Sequence, residues 1–183
     1  VGVLASTVGF SLFLRLDRGA PSAAQAGTEV LVLKLAHTLD EKHPVHQAMK
    51  YMGERLSAKS GGTVVLQIFA NGQLGSEVEC IEQLQQGALA ITKTSTAPLE
   101  GVVPELAIFG VPWIFRNEEH FWKLIHSDLG RGLLAAGEDK GLKGLCYYDA
   151  GARSFYTVNR PIRNPSDLQG LKIRVQQSRT AMD

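Results

Sequence analysis

Arg153 and Arg174 are the side chains in this sequence best suited to holding a small anion. A guanidinium stays charged at physiological pH and presents paired N–H groups in a fork that matches a carboxylate. The stretch around them, Tyr147 to Gln177, reads as a strand, a short helical turn and a second strand, with one arginine on each strand. The turn is N-P-S-D-L-Q-G, closed by Gly170. Arginines on adjacent strands can converge on one organic acid. Spacing alone leaves a second reading open, in which each is a solvated strand residue or half of a surface ion pair.

Other polar residues stand where a sheet could present them. His37 ends the first predicted strand, and open α/β sheets bind ligands beyond the carboxyl ends of their strands; position alone also allows a structural role. Glu77 follows Ser76 in the first turn of a predicted helix, as a hydroxyl acceptor or simply as a favourable charge at a helix N-terminus. Ser95, between Thr94 and Thr96, supplies a hydroxyl after the third strand, and Asp149 lies just before Gly151. Trp113 and Tyr148 could line a pocket or pack in a core. His37, His43 and His46 lie near Asp40 and Glu41, but no H-E-x-x-H or C-x-x-C accompanies them, so no metal is expected. The phosphate, dinucleotide and nucleophile-elbow motifs are absent, so no cofactor and no enzyme is expected.

The elements that position these residues alternate. Glu29 to His37 is nearly all apolar, as a strand buried on both faces reads. Pro44 opens a helix that Gly61-Gly62 stops. Val64 to Phe69 is a second strand. Ser76 and Glu79 form a capping box for a helix ending at Gly87, and Ala88 to Lys93 is a third strand. This β-α-β-α-β order predicts an α/β sheet with helices on its faces. Beyond it, Pro104 and Pro112 break any long element, Asn117 and Asp128 cap two helices, and Leu142 to Tyr148 is a strand leading to the arginines.

A-H-T-L-D-E-K-H-P-V-H, I-F-A-N-G-Q-L-G, L-Q-Q-G-A-L, P-E-L-A-I-F-G-V-P-W-I-F, G-A-R-S and D-L-Q-G-L-K-I-R-V-Q follow one another between about Leu33 and Gln177. In this order and spacing they resemble the solute-binding proteins of TRAP transporters, the DctP-type family. The resemblance implies a two-lobed, periplasmic-binding-protein-like α/β fold, with residues 27–150 as the first lobe and 151–183 as the start of a truncated second. It implies that Arg174 clamps the carboxylate of a small organic acid, that Arg153 assists, and that His37, Glu77, Ser95 and Asp149 read the rest of the solute. In the sialic-acid-binding branch an acidic residue stands where Ser95 is, which argues for another solute, a sugar acid or dicarboxylate. The A-P-L-E-G-V-V-P-E-L region looks like that of the uronate binders. The implied partners are the membrane subunits of the transporter. An exported α/β enzyme acting on an organic acid, or a sensor module, is the alternative.

Composition agrees with an exported receptor. A net charge of +1 gives no footprint for nucleic acid. Residues 1–26 open with the apolar run V-G-V-L-A-S-T-V-G-F-S-L-F-L and reach A-Q-A, as a signal peptide does, or they form an N-terminal membrane anchor. Either places the body of the chain in the periplasm. Cys80 and Cys146 read as two separate thiols.

Overall fold

The computed structural model of the chain describes residues 9–15, 30–151, 154, 156–177 and 179–182. In chain order the elements are β1 (Gly9–Arg15), β2 (Leu31–Ala36), α1 (Pro44–Lys59), β3 (Val64–Phe69), α2 (Glu77–Gln86), β4 (Ile91–Ser95), α3 (Thr96–Leu99), α4 (Glu118–Ile125), α5 (Asp128–Ala135), β5 (Leu142–Asp149) and α6 (Arg179–Met182). Stretches of 3₁₀-helix lie at Pro104–Gly110, Glu138–Lys140 and Pro165–Leu168. The fold is α/β, as the alternation predicts. The residues gather into two compact units. One comprises the described residues within 11–94 and 134–146, the other those within 9–10, 95–133 and 147–182.

The first unit holds most of a five-stranded sheet of order β3-β2-β4-β1-β5. β2 runs parallel to both neighbours, with Ala36 opposite Phe69 on one side and Thr92 on the other. Parallel strands need crossovers, and α1 and α2 supply them. Pro44 starts α1, and the His43 ring accepts from the Val45 N–H ahead of it. α2 is fixed by the capping box read from the sequence. The Glu79 N–H donates to Ser76 Oγ at 3.3 Å, and the Ser76 N–H donates to Glu79 Oε2 at 2.7 Å. Gly87 ends the helix at φ 80°, a left-handed conformation that suits a residue without a Cβ. Leu35, Met49, Ile81, Leu84, Leu89 and Ile91 are buried in the core. Cys80 is a buried thiol, and Cys146 is half-buried in β5.

One expectation for the sheet changes. β2 is buried only in its second half, at Leu35 and Ala36; Val32 beside Val65 and Lys34 beside Gln67 are exposed. α1 covers the alternate residues, with Gly53 close against Leu66. The apolar run assigned to export contributes β1 between β4 and β5. Lying between two strands, β1 gives each of them a ladder partner. Among the described residues, no helix is long and apolar enough to cross a membrane.

In the second unit, Phe109, Phe115 and Phe121 pack together, with neighbouring ring centroids 6.1 and 5.2 Å apart. Tyr147 joins Phe109, and its hydroxyl donates to the Gly130 carbonyl at 2.8 Å. Asn117 caps α4 through the His120 N–H. α5 is capped by Ser127 rather than Asp128, its hydroxyl accepting from the Gly130 N–H at 3.5 Å. Asp128 instead occupies the first turn and pairs with Arg131 one turn on.

Of the predicted strand-turn-strand of Tyr147 to Gln177, the turn is present and the first strand ends early, with β5 at Asp149. Asn164 and Asp167 cap the Pro165–Leu168 turn, while the described residues of 154–163 and 171–177 carry no strand. An apolar-alternating segment becomes a strand only when a neighbour supplies the ladder, and no described residue pairs with these.

Candidate functional site

The carboxyl end of β4 carries an unusual load. Thr92, Lys93, Thr94, Ser95 and Thr96 are consecutive, polar and all buried. Buried polar groups must find partners. Thr92 Oγ1 donates to the Ala36 carbonyl at 3.0 Å, tying β4 to β2. Lys93, only 1% exposed, places Nζ 3.3 Å from Glu77 Oε1 at the first residue of α2. Burial pulls the Lys93 ammonium down to about 8, against the pull of the Glu77 charge and hydrogen bond, which raise it. Glu77 keeps 17% of its side chain exposed.

His37 stands beside this pair. Its Nδ1 accepts from the Leu39 N–H at 3.1 Å, so the proton sits on Nε2, which donates to His46 Nδ1 at 2.9 Å. Burial, then the His46 and Lys93 charges, lower its pKa to about 4, so the ring is neutral at physiological pH. Both ring nitrogens are engaged, and a solute hydroxyl reaches this ring only by displacing one of those partners. Two of the predicted site residues, His37 and Glu77, are thus brought around one buried lysine within the first unit.

In the second unit, Ser95 Oγ accepts from Gln176 Nε2 at 3.1 Å, which ties the end of β4 to the segment carrying Arg174. Arg174 itself is exposed. Asp149 Oδ1 accepts from the Gly151 N–H at 2.7 Å, closing a turn on a glycine with φ 73°. One carboxylate oxygen of Asp149 is therefore spent on the backbone. Arg153 lies outside the described residues. Tyr148 is half-buried, whereas Trp113 is 65% exposed at φ 56°, a left-handed conformation costly for a bulky side chain.

Lys93 is the residue that sequence reasoning missed. Ending the third strand at Lys93 made it an exit from the sheet, where a lysine is unremarked. The signal was present in I-T-K-T-S, a lysine between two threonines in a strand, and a charge buried in a sheet must be paired.

The sequence profile of the bacterial extracellular solute-binding proteins, family 7 (DctP), matches residues 35–183. The chain belongs to the DctP family. A TRAP periplasmic solute-binding protein from Bradyrhizobium sp. btai1, solved with galacturonate, is 44% identical. It superposes with a TM-score of 0.76 over 80% of this chain and 49% of its own. The sugar-acid-binding protein DctPAm of Advenella mimigardefordensis, solved with galactonate, is 30% identical. Its TM-score is 0.80 over 84% of this chain and 50% of its own. The C4-dicarboxylate-binding protein DctB of Bacillus subtilis is 31% identical over 148 residues, 81% of this chain and 42% of DctB. The chain spans about half the length of the DctP relatives it matches. Those relatives are solute-binding proteins, and the α/β fold described above is theirs over the shared part.

Proposed function

We propose that this DctP protein is the extracytoplasmic solute-binding component of a TRAP-type transporter, taking a sugar acid or dicarboxylate in the periplasm and delivering it to membrane subunits for secondary transport. The observation that carries this reading is the family match over residues 35–183, joined to the galacturonate and galactonate complexes of its relatives. Residues 1–26 serve export, 27–150 form the first lobe and 151–183 begin the second.

Arg174 pairs with the solute carboxylate and Arg153 adds charge and hydrogen bonds; a bidentate guanidinium–carboxylate pair supplies both energy and orientation. Arg174 is exposed, so its fork is open to an incoming acid. Glu77, Ser95, Asp149 and His37 read the remaining polar groups, Glu77 as an acceptor and Ser95 as a hydroxyl partner. His37 contributes by exchanging one of its present partners, and Asp149 through the oxygen not held by Gly151. Ligand that bridges two lobes favours their closed arrangement in proportion to its differential affinity.

The test is a thermal-shift screen of the full-length protein against uronates, aldonates, four-carbon dicarboxylates and their uncharged analogues, with Arg174→Ala alongside. Binding to the native state raises the melting temperature. A rise with one acid class, absent for neutral analogues and lost in R174A, is the expected result. An unchanged response in R174A removes the arginine clamp.

A further inference from the structure

β4 lies between β2 and β1 in the sheet interior, and its buried run leaves Lys93 with 1% exposure. Stability alone does not call for a lysine there. Replacing a buried ion pair with apolar groups of similar size is often neutral or stabilising. Nor does Glu77 need a cation to be tolerated, because the first turn of α2 already favours negative charge. What the ammonium adds is geometry. A carboxylate on a flexible stem is held by a donor that is itself buried, 3.3 Å away. The Glu77 side chain keeps 17% of its surface exposed, so the pair is not sealed from a solute hydroxyl. His37 beside the pair is neutral, its Nε2–H committed to His46, and so adds no second cation to compete for the carboxylate.

We propose that Lys93 is a positioning residue for solute selection: its buried ammonium fixes the Glu77 carboxylate as a hydroxyl acceptor, favouring hydroxylated acids over acids of similar length without hydroxyls. This rests on the solute-receptor reading above. An acceptor locked before binding spares the solute the cost of ordering it. A hydroxyl donating to a charged, preordered acceptor gains more than one donating to a mobile group in water.

The experiment is calorimetric titration of the full-length protein with D-galacturonate, D-glucuronate and adipate, a six-carbon diacid that lacks hydroxyls. The proteins are wild type, Lys93→Met, Glu77→Gln and the double variant K93M/E77Q. K93M is expected to weaken uronate binding by about tenfold, one charged hydrogen bond's worth, while adipate affinity changes little. The double variant is expected to bind uronate no worse than E77Q, because Lys93 acts only through Glu77. Equal weakening of uronate and adipate in K93M identifies a merely structural lysine and overturns the proposal, as does unchanged uronate affinity. If K93M melts below the assay temperature, the double variant is compared with E77Q, and uronate binding weaker than that of E77Q overturns the proposal, because Lys93 would then act other than through Glu77. The same proportional loss for uronate and adipate there overturns the proposal too. Failure of wild type to bind any of the acids counts against the receptor reading, whereas wild-type uronate binding with an insensitive K93M counts against Lys93 alone.

Discussion

At the scale of single residues, the described polar chemistry of the first unit centres on two groups whose pKa values are held below their ordinary ones. The His37 pKa lies at about 4 in the fold, below the 6.5 of an exposed histidine, chiefly because the ring is buried. The unfolded chain therefore binds more protons between those values, and stability falls as pH drops from 6.5 toward 4. The urea midpoint should be clearly lower at pH 4.5 than at pH 7, and His37→Gln should flatten that dependence. Lys93 acts in the same direction at the other end of the scale. Its folded value of about 8 lies below 10.5, so the unfolded state again holds the extra proton, and stability rises as pH climbs from 8 toward 10.5. Lys93→Met should abolish that alkaline rise. A rise that survives in K93M would assign it to another group.

At the scale of elements, end-capping accounts for much of what could be read in advance. Ser76, Glu79 and Gly87 bound α2, and Asn117 caps α4, because such local hydrogen bonds depend on only a few neighbouring residues. Ser76→Ala should cost about 1 kcal/mol in chemical denaturation, since it orphans the Glu79 N–H. Gly130 is a stricter case. A Cβ there would stand 2.2 Å from the Ile125 carbonyl oxygen, where α4 turns into α5. Gly130→Ala should cost at least ~2 kcal/mol, and a smaller loss would mean the turn can open. Nonlocal features were less legible. The Lys93–Glu77 pair joins a strand to a helix start sixteen positions away, and nothing in I-T-K-T-S names its partner. The arginine segment looked like two strands because its residue types suit strands, yet pairing is a property of neighbours and not of the segment. His37 was correctly placed at the end of β2, but its bond to His46 could not be seen, since the route of the loop into α1 decides it.

At the scale of the whole molecule, the parallel pair β2 and β3 leaves Val32 and Val65 side by side and exposed, with Val30 and Leu31 also exposed at the start of β2. Parallel sheets are ordinarily covered on both faces, and an uncovered apolar face favours contact with another apolar surface. The 183-residue chain should therefore scatter more light per mass as its concentration rises, and Val32→Thr with Val65→Thr should suppress that rise. Equal scattering by both forms would place the adhesive surface elsewhere. The second unit offers a means of watching the molecule without attaching anything to it. The chain has two tryptophans. Trp122 donates to Glu118 and stacks on His126 with ring centroids 5.5 Å apart, while Trp113 stands largely in water. Their emission should separate into a red, readily quenched component and a bluer, shielded one. Whatever comes to cover residue 113 will then announce itself as a change of colour.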